Sequence, residues 1–267
     1  MNDDRYMVPA LERGLRLLKS FSRERPDIGL ADLARELNLP RTTVFRMART
    51  LEAIGFLRRV NNGKTYRLGA AVLGLGFEYL AGMDVTEVAR EHLEALSRAT
   101  GFSTHLGMRD GTDLVYISRY AAVGAVISNI RVGTRLPVHA SSMGRILLSD
   151  LAPDELDRLF LGRSLQKYTE QTPTSLPVLK AMLARDRQRG YVISRAFYVK
   201  GVCGIAAPVR DAAGRVVAAI NLIAPDSRID AGQLEGPLKE AVVDSARIIS
   251  TWLGYRPRTL GPRIIVA

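Results

Sequence analysis

Apolar residues recur at helical spacing in three consecutive segments near the start of the chain. These segments cover residues 8–21, 30–37 and 41–55. Val44, Leu51 and either Met47 or Ala48 mark the inward side of the third. Recurrence at every third or fourth position is the pattern of an amphipathic helix. The first eighty residues therefore predict a small helical domain with its own core.

The second and third predicted helices are separated only by the short break Asn38–Pro40. The third helix opens with Arg41, Thr42 and Thr43 and ends near Gly55. Two helices joined by a tight turn, with cations and hydroxyls at the start of the second, are typical of helix-turn-helix DNA recognition.

A short basic hairpin is predicted directly after these helices. Phe56–Val60 and Thr65–Leu68 are strand-like runs on either side of Asn61-Asn62-Gly63. Asn-Gly favours a hairpin turn because both residues tolerate positive φ. A hairpin in this position is a wing, so residues 8–68 predict a winged helix-turn-helix.

The character of the chain changes after an apolar, glycine-containing segment at residues 69–82. That segment predicts a linker helix, and its excess apolar surface favours packing against a second subunit. An amphipathic helix at Val85–Thr100 follows, and the next strand-like runs are Thr104–Met108, Leu114–Ser118, Val126–Ile130, Tyr191–Ser194, Gly204–Arg210 and Val216–Ala224. Helices are predicted between and after these runs, the last at Leu234–Leu253. Strands flanked by helices predict an α+β domain with a mainly antiparallel sheet.

We therefore predict four parts in an α+β chain. They are a winged helix-turn-helix DNA-binding domain at 1–68, a linker helix at 69–83, a second domain at 84–255 and a basic tail at 256–267. A chain of 267 residues is long enough for two such domains, each with its own core.

The charge balance favours an acidic partner. The formal net charge is +11, which suits nucleic acid or an anionic membrane surface, although solubility alone is the alternative. No apolar run is long enough to span a bilayer, and the N-terminus lacks a signal-peptide core, so we expect a cytoplasmic protein with no membrane partner. A single cysteine excludes an intramolecular disulfide framework.

Seven residues are candidates for DNA contact. They are Arg41, Thr42, Thr43, Arg46 and Arg49 on the third helix, and Lys64 and Tyr66 on the wing. Arg46 suits guanine edges, whereas Arg41 and Thr42 suit phosphates at a helix N-terminus. The wing residues suit the DNA backbone or minor groove. The alternative is that a threonine caps the helix and the arginines are only solvated.

The second domain has little that resembles a catalytic site. Ser141–Arg145 is either an anion-binding loop that opens a helix or a plain helix cap. Cys203 begins an apolar strand and is expected to be a buried, inert thiol. The histidines His92, His105 and His139 lie far apart without neighbouring ligands, so the sequence indicates neither a metal nor a cofactor. These features favour a sensor over a catalyst.

Five motifs carry a resemblance to a known family. They are ALERGLRLLKSF, LADLARELNLPRTTVFRMARTLEAIGFL, YRLGAAVLGLG, GTRLPVHASSMGRILLS and GVCGIAAPVRDAAGRVVAAINLIAP. Through them the chain resembles the IclR family of bacterial transcriptional regulators over residues of about 8–255. The segment GTRLPVHASSMGRILL further looks like the branch that regulates aromatic-acid catabolism through protocatechuate and the β-ketoadipate pathway.

The resemblance implies a GAF-like effector domain and homodimers, often paired into tetramers, on palindromic operators in double-stranded DNA. It also implies an effector cavity lined by Ala125, Ser128, Ser142, Ser194, Val202, Gly204, Asn221 and Ile223. Many members carry a glutamate where this chain has Val199, within the aromatic segment RAFYVKG. An aromatic cavity for an anionic ligand fits that departure, so we expect a small organic acid, with an aromatic acid as the favoured class.

Two other functions stay open on the sequence alone. One is a GAF-like enzyme with an accessory DNA-binding domain, against which the missing metal and nucleophile constellations argue. The other is a DNA-binding protein that responds to no effector. Substrate consumption identifies the first, and operator affinity indifferent to ligand identifies the second.

Overall fold

The computed structural model describes residues 7–22, 24–81, 84–122 and 130–256. These residues fall into two compact units, divided between residues 82 and 83. The predicted boundaries 1–68, 69–83, 84–255 and 256–267 remain predictions.

The first unit combines four helices with a small sheet. Its elements are α1 (Pro9–Lys19), β1 (Ile28–Gly29), α2 (Leu30–Leu37), α3 (Arg41–Ala53), β2 (Leu57–Val60), β3 (Thr65–Leu68) and α4 (Ala71–Ala81). Helix α2 ends where Asn38 adopts the left-handed conformation, with φ of 54°, and α3 begins three residues later. The predicted helix-turn-helix is therefore confirmed.

The predicted wing is also confirmed, and it belongs to a larger sheet. Asn61, Asn62 and Gly63 all have positive φ between β2 and β3, as the hairpin requires. The two-residue strand β1, which the sequence did not predict, pairs with β3 on its other side. Strand β3 is therefore the centre of a three-stranded antiparallel sheet in the order β1-β3-β2.

The apolar stripe predicted on the first helix is divided between core and surface. Of the predicted stripe, Phe21 is buried and Leu18 is partly buried against the core of the first unit, whereas Leu11 and Leu15 are 62% and 52% exposed. Leu17, which the stripe did not include, is fully buried. Leu73 and Leu75 of α4 are exposed as well. The first unit thus has large apolar side chains that are not buried in its own core.

The second unit packs helices on one six-stranded sheet. Its elements are α5 (Asp84–Thr100), β4 (Ser103–Asp110), β5 (Asp113–Tyr120), β6 (Arg135–Pro137), α6 (Ser142–Ser149), α7 (Pro153–Phe160), α8 (Leu176–Arg189), β7 (Val192–Arg195), β8 (Val202–Arg210), β9 (Val216–Pro225), α9 (Ala231–Glu235) and α10 (Pro237–Trp252). The strand order is β6-β5-β4-β9-β8-β7, and every neighbouring pair is antiparallel. The predicted α+β class with a mainly antiparallel sheet is confirmed.

The predicted and observed elements of this unit differ in part. The single closing helix is two helices, since the chain breaks at Gly236 and restarts at Pro237. Edge strand β6 was not predicted, because three residues are too few for a periodic signal. The predicted strand at Val126–Ile130 lies outside the described residues except for its last position.

Helix α6 is buried along seven consecutive residues, from Ser142 to Leu148. A Cβ on Gly144 would lie 2.2 Å from the carbonyl oxygen of Val138, so this position needs glycine for the turn to approach the helix. The close approach fixes the start of α6 against the sheet, where a cavity opens. Among the described residues, no helix has both the length and the apolar character that crossing a membrane requires.

Candidate DNA-binding surface and effector pocket

Helix α3 presents a polar face with one aromatic side chain on it. Val44 and Ala48 are fully buried, whereas Thr42, Arg46 and Arg49 are exposed at the spacing of one helix face. Phe45 is also exposed on this side, which the sequence reasoning did not single out. The helix directs these side chains away from the domain core.

The threonines at the start of α3 do not cap it. The N-cap residue is Pro40, which makes no side-chain cap hydrogen bond. Thr42 is exposed and Thr43 is half-buried. The capping alternative is therefore excluded for this helix, and the Thr42 hydroxyl stays available to an outside partner.

The candidate cations differ in their neighbours. Among the described residues, Arg41, Arg46 and Lys64 form no ion pair within 4 Å. Arg49 instead lies 3.1 Å from Glu52, which also holds Arg59 of β2 at 3.2 Å. Glu52 therefore joins α3 to the wing and lowers the positive charge that Arg49 offers to DNA.

The prediction that Tyr66 contacts DNA from the wing is wrong. Its side chain is only 1% exposed and lies in the core of the first unit. The error follows from the unpredicted strand β1, which makes β3 a central strand with one buried face. On the same strand, Arg67 forms a two-pronged ion pair with Asp27, at 2.6 and 2.7 Å. That hydrogen-bonded guanidinium holds the pKa of the Asp27 carboxyl below its usual value.

The second unit contains a pocket of about 290 Å³ between the sheet and the start of α6. It is lined by every predicted effector residue within the described part of the chain, namely Ser142, Ser194, Val202, Gly204, Asn221 and Ile223. Ala125 and Ser128 lie outside the described residues. None of the described residues that line the pocket is acidic or basic. An anion there must be held by dipoles and hydrogen bonds.

One wall of the pocket is aromatic. Tyr116 of β5 and the segment Phe197–Val199 all line it. The hydroxyls of Thr169 and Thr172 donate to the carbonyl oxygens of Ala196, at 2.5 Å, and Phe197, at 2.6 Å. The aromatic wall is thus fixed to the rest of the unit by hydrogen bonds.

Two serine hydroxyls lie at the pocket, that of Ser142 at the start of α6 and that of Ser194 on β7, and the Ser194 hydroxyl donates to the Gly204 carbonyl at 3.4 Å. The side chain of Ser141 accepts a hydrogen bond from the Gly144 amide at 3.1 Å, so Ser141 is the helix cap. A Cβ on Gly204 would lie 3.4 Å from the Oγ atoms of both Ser142 and Ser194. Gly204 therefore leaves space where these hydroxyls converge.

Asn221 is positioned by a buried histidine. His105 is fully buried, and its Nδ1 lies 2.9 Å from Oδ1 of Asn221 on the neighbouring strand. Burial lowers the pKa of His105 to about 4, so the ring is neutral near pH 7. Oδ1 of Asn221 only accepts, which assigns the proton to Nδ1 of His105. The Asn221 amide group is then left to donate elsewhere.

A buried ion pair lies behind the aromatic wall. Arg145 of α6 donates to both carboxylate oxygens of Asp186 on α8, at 2.6 and 2.8 Å. Its guanidinium carbon also lies 4.7 Å from the centre of the Phe197 ring. Arg145 is therefore engaged within the fold, so the Ser141–Arg145 segment offers hydroxyls and amides rather than a cation.

The surroundings of Cys203, His92 and His139 indicate structural roles. Cys203 is buried at the pocket wall, and burial raises the pKa of its thiol. His92 is half-buried on α5, and Nε2 of His139 lies 3.0 Å from the carbonyl oxygen of Gln166. Within the described ranges, no three histidine, cysteine, aspartate or glutamate side chains are grouped as a metal would require.

Two family models match the chain. The IclR helix-turn-helix domain matches residues 10–61, and the C-terminal domain of the bacterial transcriptional regulator IclR matches residues 77–251. The regulator XynR of Escherichia coli is 32% identical over 250 residues, which cover 93% of this chain and 98% of the relative. The repressor AllR of Salmonella typhi is 33% identical over 93% of this chain and 91% of its own.

Solved structures give the same result. A putative transcriptional regulator from Rhodococcus sp. RHA1 has a TM-score of 0.82 at 34% identity, covering 92% of this chain and 98% of its own. An IclR homologue from Microbacterium hydrocarbonoxydans, complexed with 4-hydroxybenzoate, has a TM-score of 0.80 at 29% identity, covering 91% and 98%. The chain therefore belongs to the IclR family of bacterial transcriptional regulators.

Proposed function

We propose that the binding of this regulator to its operator is controlled by a small aromatic acid held in the pocket of the second unit. The observation that carries the proposal is an uncharged pocket with an aromatic wall on one side and convergent hydrogen-bond donors on the other. A ring packs on Tyr116, Phe197 and Tyr198, and a carboxylate faces Ser142 and Asn221. The homologue with bound 4-hydroxybenzoate supports this ligand class.

The carboxylate site needs no cationic side chain. The first amides of α6, those of Ser142 and Met143, have no acceptor within the helix, and the helix N-terminus carries partial positive charge. The Ser142 hydroxyl and the Asn221 amide add neutral donors, and both residues are almost fully buried. Hydrogen bonds to an ionised group are each worth about 1.5–3 kcal/mol in such surroundings.

Operator contact is assigned to α3 and the wing tip. Arg46 and Arg49 face the major groove, Arg41, Thr42 and Thr43 approach the phosphates, and Lys64 contacts the backbone beside the wing. The unpaired state of Arg41, Arg46 and Lys64 within the described residues supports this assignment. Arg49 contributes less than Arg46 because Glu52 already neutralises it.

The protein acts as a homodimer on a palindromic operator, and a pair of such dimers is the alternative assembly. The exposed leucines Leu11 and Leu15 of α1, with Leu73 and Leu75 of α4, supply apolar surface for the dimer contact. An effector changes operator affinity only by the difference between its affinities for the two arrangements of the dimer. We infer that the chain does not catalyse a reaction on this acid.

A gel shift on the intergenic DNA beside this gene tests the proposal. The titration is run with and without a panel of aromatic and small aliphatic acids, including 4-hydroxybenzoate. We expect one aromatic acid to change the operator affinity of the wild-type chain and to be recovered unchanged. A shift indifferent to every acid would favour an effector-independent protein, and consumption of an acid over hours would favour an enzyme.

A further inference from the structure

We infer that Phe45 recognises the C5-methyl group of a thymine in the major groove of the operator. The inference rests on the proposed operator contact through α3 and adds a specificity-determining residue to it. Phe45 has a large apolar side chain that does not lie in the core of the first unit. Phe45 is 45% exposed, although it lies in the middle of a 13-residue helix.

The core of the first unit does not require an aromatic residue at this position. Val44 and Ala48 are fully buried and supply the contacts of α3 with that core. Phe45 follows Thr42 by three residues and precedes Arg49 by four, so these side chains share one side of the helix. Its exposed ring is therefore part of the surface that carries the candidate DNA contacts.

The charges around Phe45 indicate which partner covers it. Arg41 lies one turn before Phe45, and Arg46 lies beside it, and neither forms an ion pair among the described residues. A protein surface that covered the ring would also have to remove two unpaired guanidinium groups from water, at considerable cost. A polyanion instead stabilises both cations while it brings the ring to the floor of a groove.

Within the major groove, a phenyl ring has one suitable apolar partner. Guanine and adenine present polar atoms there, and cytosine presents an amino group, whereas thymine presents a methyl group. A ring placed against any of the polar edges would remove water from a donor or acceptor without replacing the hydrogen bond. Phe45 therefore favours a thymine and disfavours the other bases at its position.

Replacing thymine by uracil tests this contact, because uracil lacks only the methyl group. The full chain first selects a binding sequence from random duplex DNA, and each thymine in that sequence is then replaced in turn. We expect one replacement in each half-site to weaken wild-type binding by about fourfold, the equivalent of one buried methylene at ~0.8 kcal/mol. Equal wild-type affinity for all uracil-substituted duplexes would overturn the inference.

Two variants of Phe45 are measured on the same thymine and uracil duplexes, which gives a double-mutant cycle. Phe45→Ala is expected to bind the thymine and uracil duplexes equally, while Phe45→Leu keeps part of the difference because it retains an apolar contact. Ile54→Ala serves as the matched control, since Ile54 is also exposed but lies beyond the end of α3. Methyl dependence that persists unchanged in Phe45→Ala would assign the effect to DNA shape and overturn the inference. Failure to select any sequence would overturn the proposed operator binding as well.

Discussion

Nδ1 of His105 lies 2.9 Å from Oδ1 of Asn221 across the β4–β9 pairing, and the two residues are directly opposite in register. Asn221 lines the pocket of the second unit, and His105 is fully buried. His105 is neutral because burial disfavours its charged form. The contact with Nδ1 of His105 occupies Oδ1 of Asn221, which leaves the Asn221 amide nitrogen to donate elsewhere. The hydrogen-bond donor that Asn221 offers to the pocket therefore depends on His105, which does not line the pocket.

The first prediction concerns the pH dependence of folding. An unfolded histidine titrates near pH 6.5, whereas burial lowers the pKa of His105 to about 4 in the folded chain. Between these values the unfolded state binds a proton that the folded state does not. The contribution of neutral His105 is therefore complete above pH 6.5, and up to roughly 3 kcal/mol is lost as the pH falls toward 4.

Urea unfolding of the wild type and His105→Gln at pH 7 and pH 4.5 measures this contribution. Glutamine keeps a donor for Asn221 but does not titrate, so its free energy of unfolding should fall less between the two pH values. The carboxylates and the remaining histidines titrate equally in both proteins, so their contributions to the change in the free energy of unfolding cancel in the comparison. Identical pH dependence in the two proteins would contradict the buried, neutral state of His105.

The second prediction concerns the carboxylate site. Ser142→Ala should weaken binding of the aromatic acid about tenfold or more, because a hydrogen bond to an ionised group is lost. Folding stability should change little, since no hydrogen bond joins the Ser142 hydroxyl to any of the residues that the structure describes. Ser149→Ala is the control, because Ser149 lies on the same helix with its hydroxyl bonded to the Ile146 carbonyl. Calorimetric titration of both variants with the acid makes the comparison.

The third prediction concerns the buried ion pair behind the aromatic wall. Asp186→Ala leaves the guanidinium of Arg145 buried without a counter-charge and should lower the free energy of unfolding by about 3–5 kcal/mol. Asp154→Ala removes a carboxylate from an exposed pair with Arg158 and should cost less than about 1 kcal/mol. Similar losses in the two variants, measured by chemical denaturation, would mean that the Arg145–Asp186 pair is not sequestered from water.

The fourth prediction separates base recognition from phosphate contact. Arg46→Ala should cost about 1–3 kcal/mol of specific operator binding and leave affinity for unrelated DNA nearly unchanged. Lys64→Ala should weaken binding to both kinds of DNA and reduce the dependence of affinity on salt. Equal operator affinity for the wild type and Arg46→Ala would remove Arg46 from the recognition surface.

The sequence predicted the elements that local chemistry determines. The helix-turn-helix follows from apolar periodicity and the wing from Asn-Gly, and both need only neighbouring residues. Tyr66 was misplaced because its burial depends on the two-residue strand β1, which has no periodic signal of its own. On α1, periodicity identified an apolar stripe but not that Leu17, rather than Leu15, faces the core.

The candidate pocket was predicted only in part, for a different reason. The resemblance to the family implied which residues line the cavity, but it indicated no hydrogen-bond partner for any of them. His105 and Asn221 are 116 positions apart, and Arg145 and Asp186 are 41 apart, so only the folded chain brings each pair together. The exposure of Phe45 likewise depends on which side of α3 the core occupies.

A reciprocal titration tests whether acid binding in the pocket is coupled to operator binding. The most effective acid of the panel is titrated into the free protein and into the protein–operator complex, and operator affinity is measured with and without saturating acid. Linkage requires the two affinity ratios to be equal, and we expect both to differ from one by about fivefold or more. Equal affinity of the acid for the free protein and for the complex would show that the pocket and the operator site are not coupled.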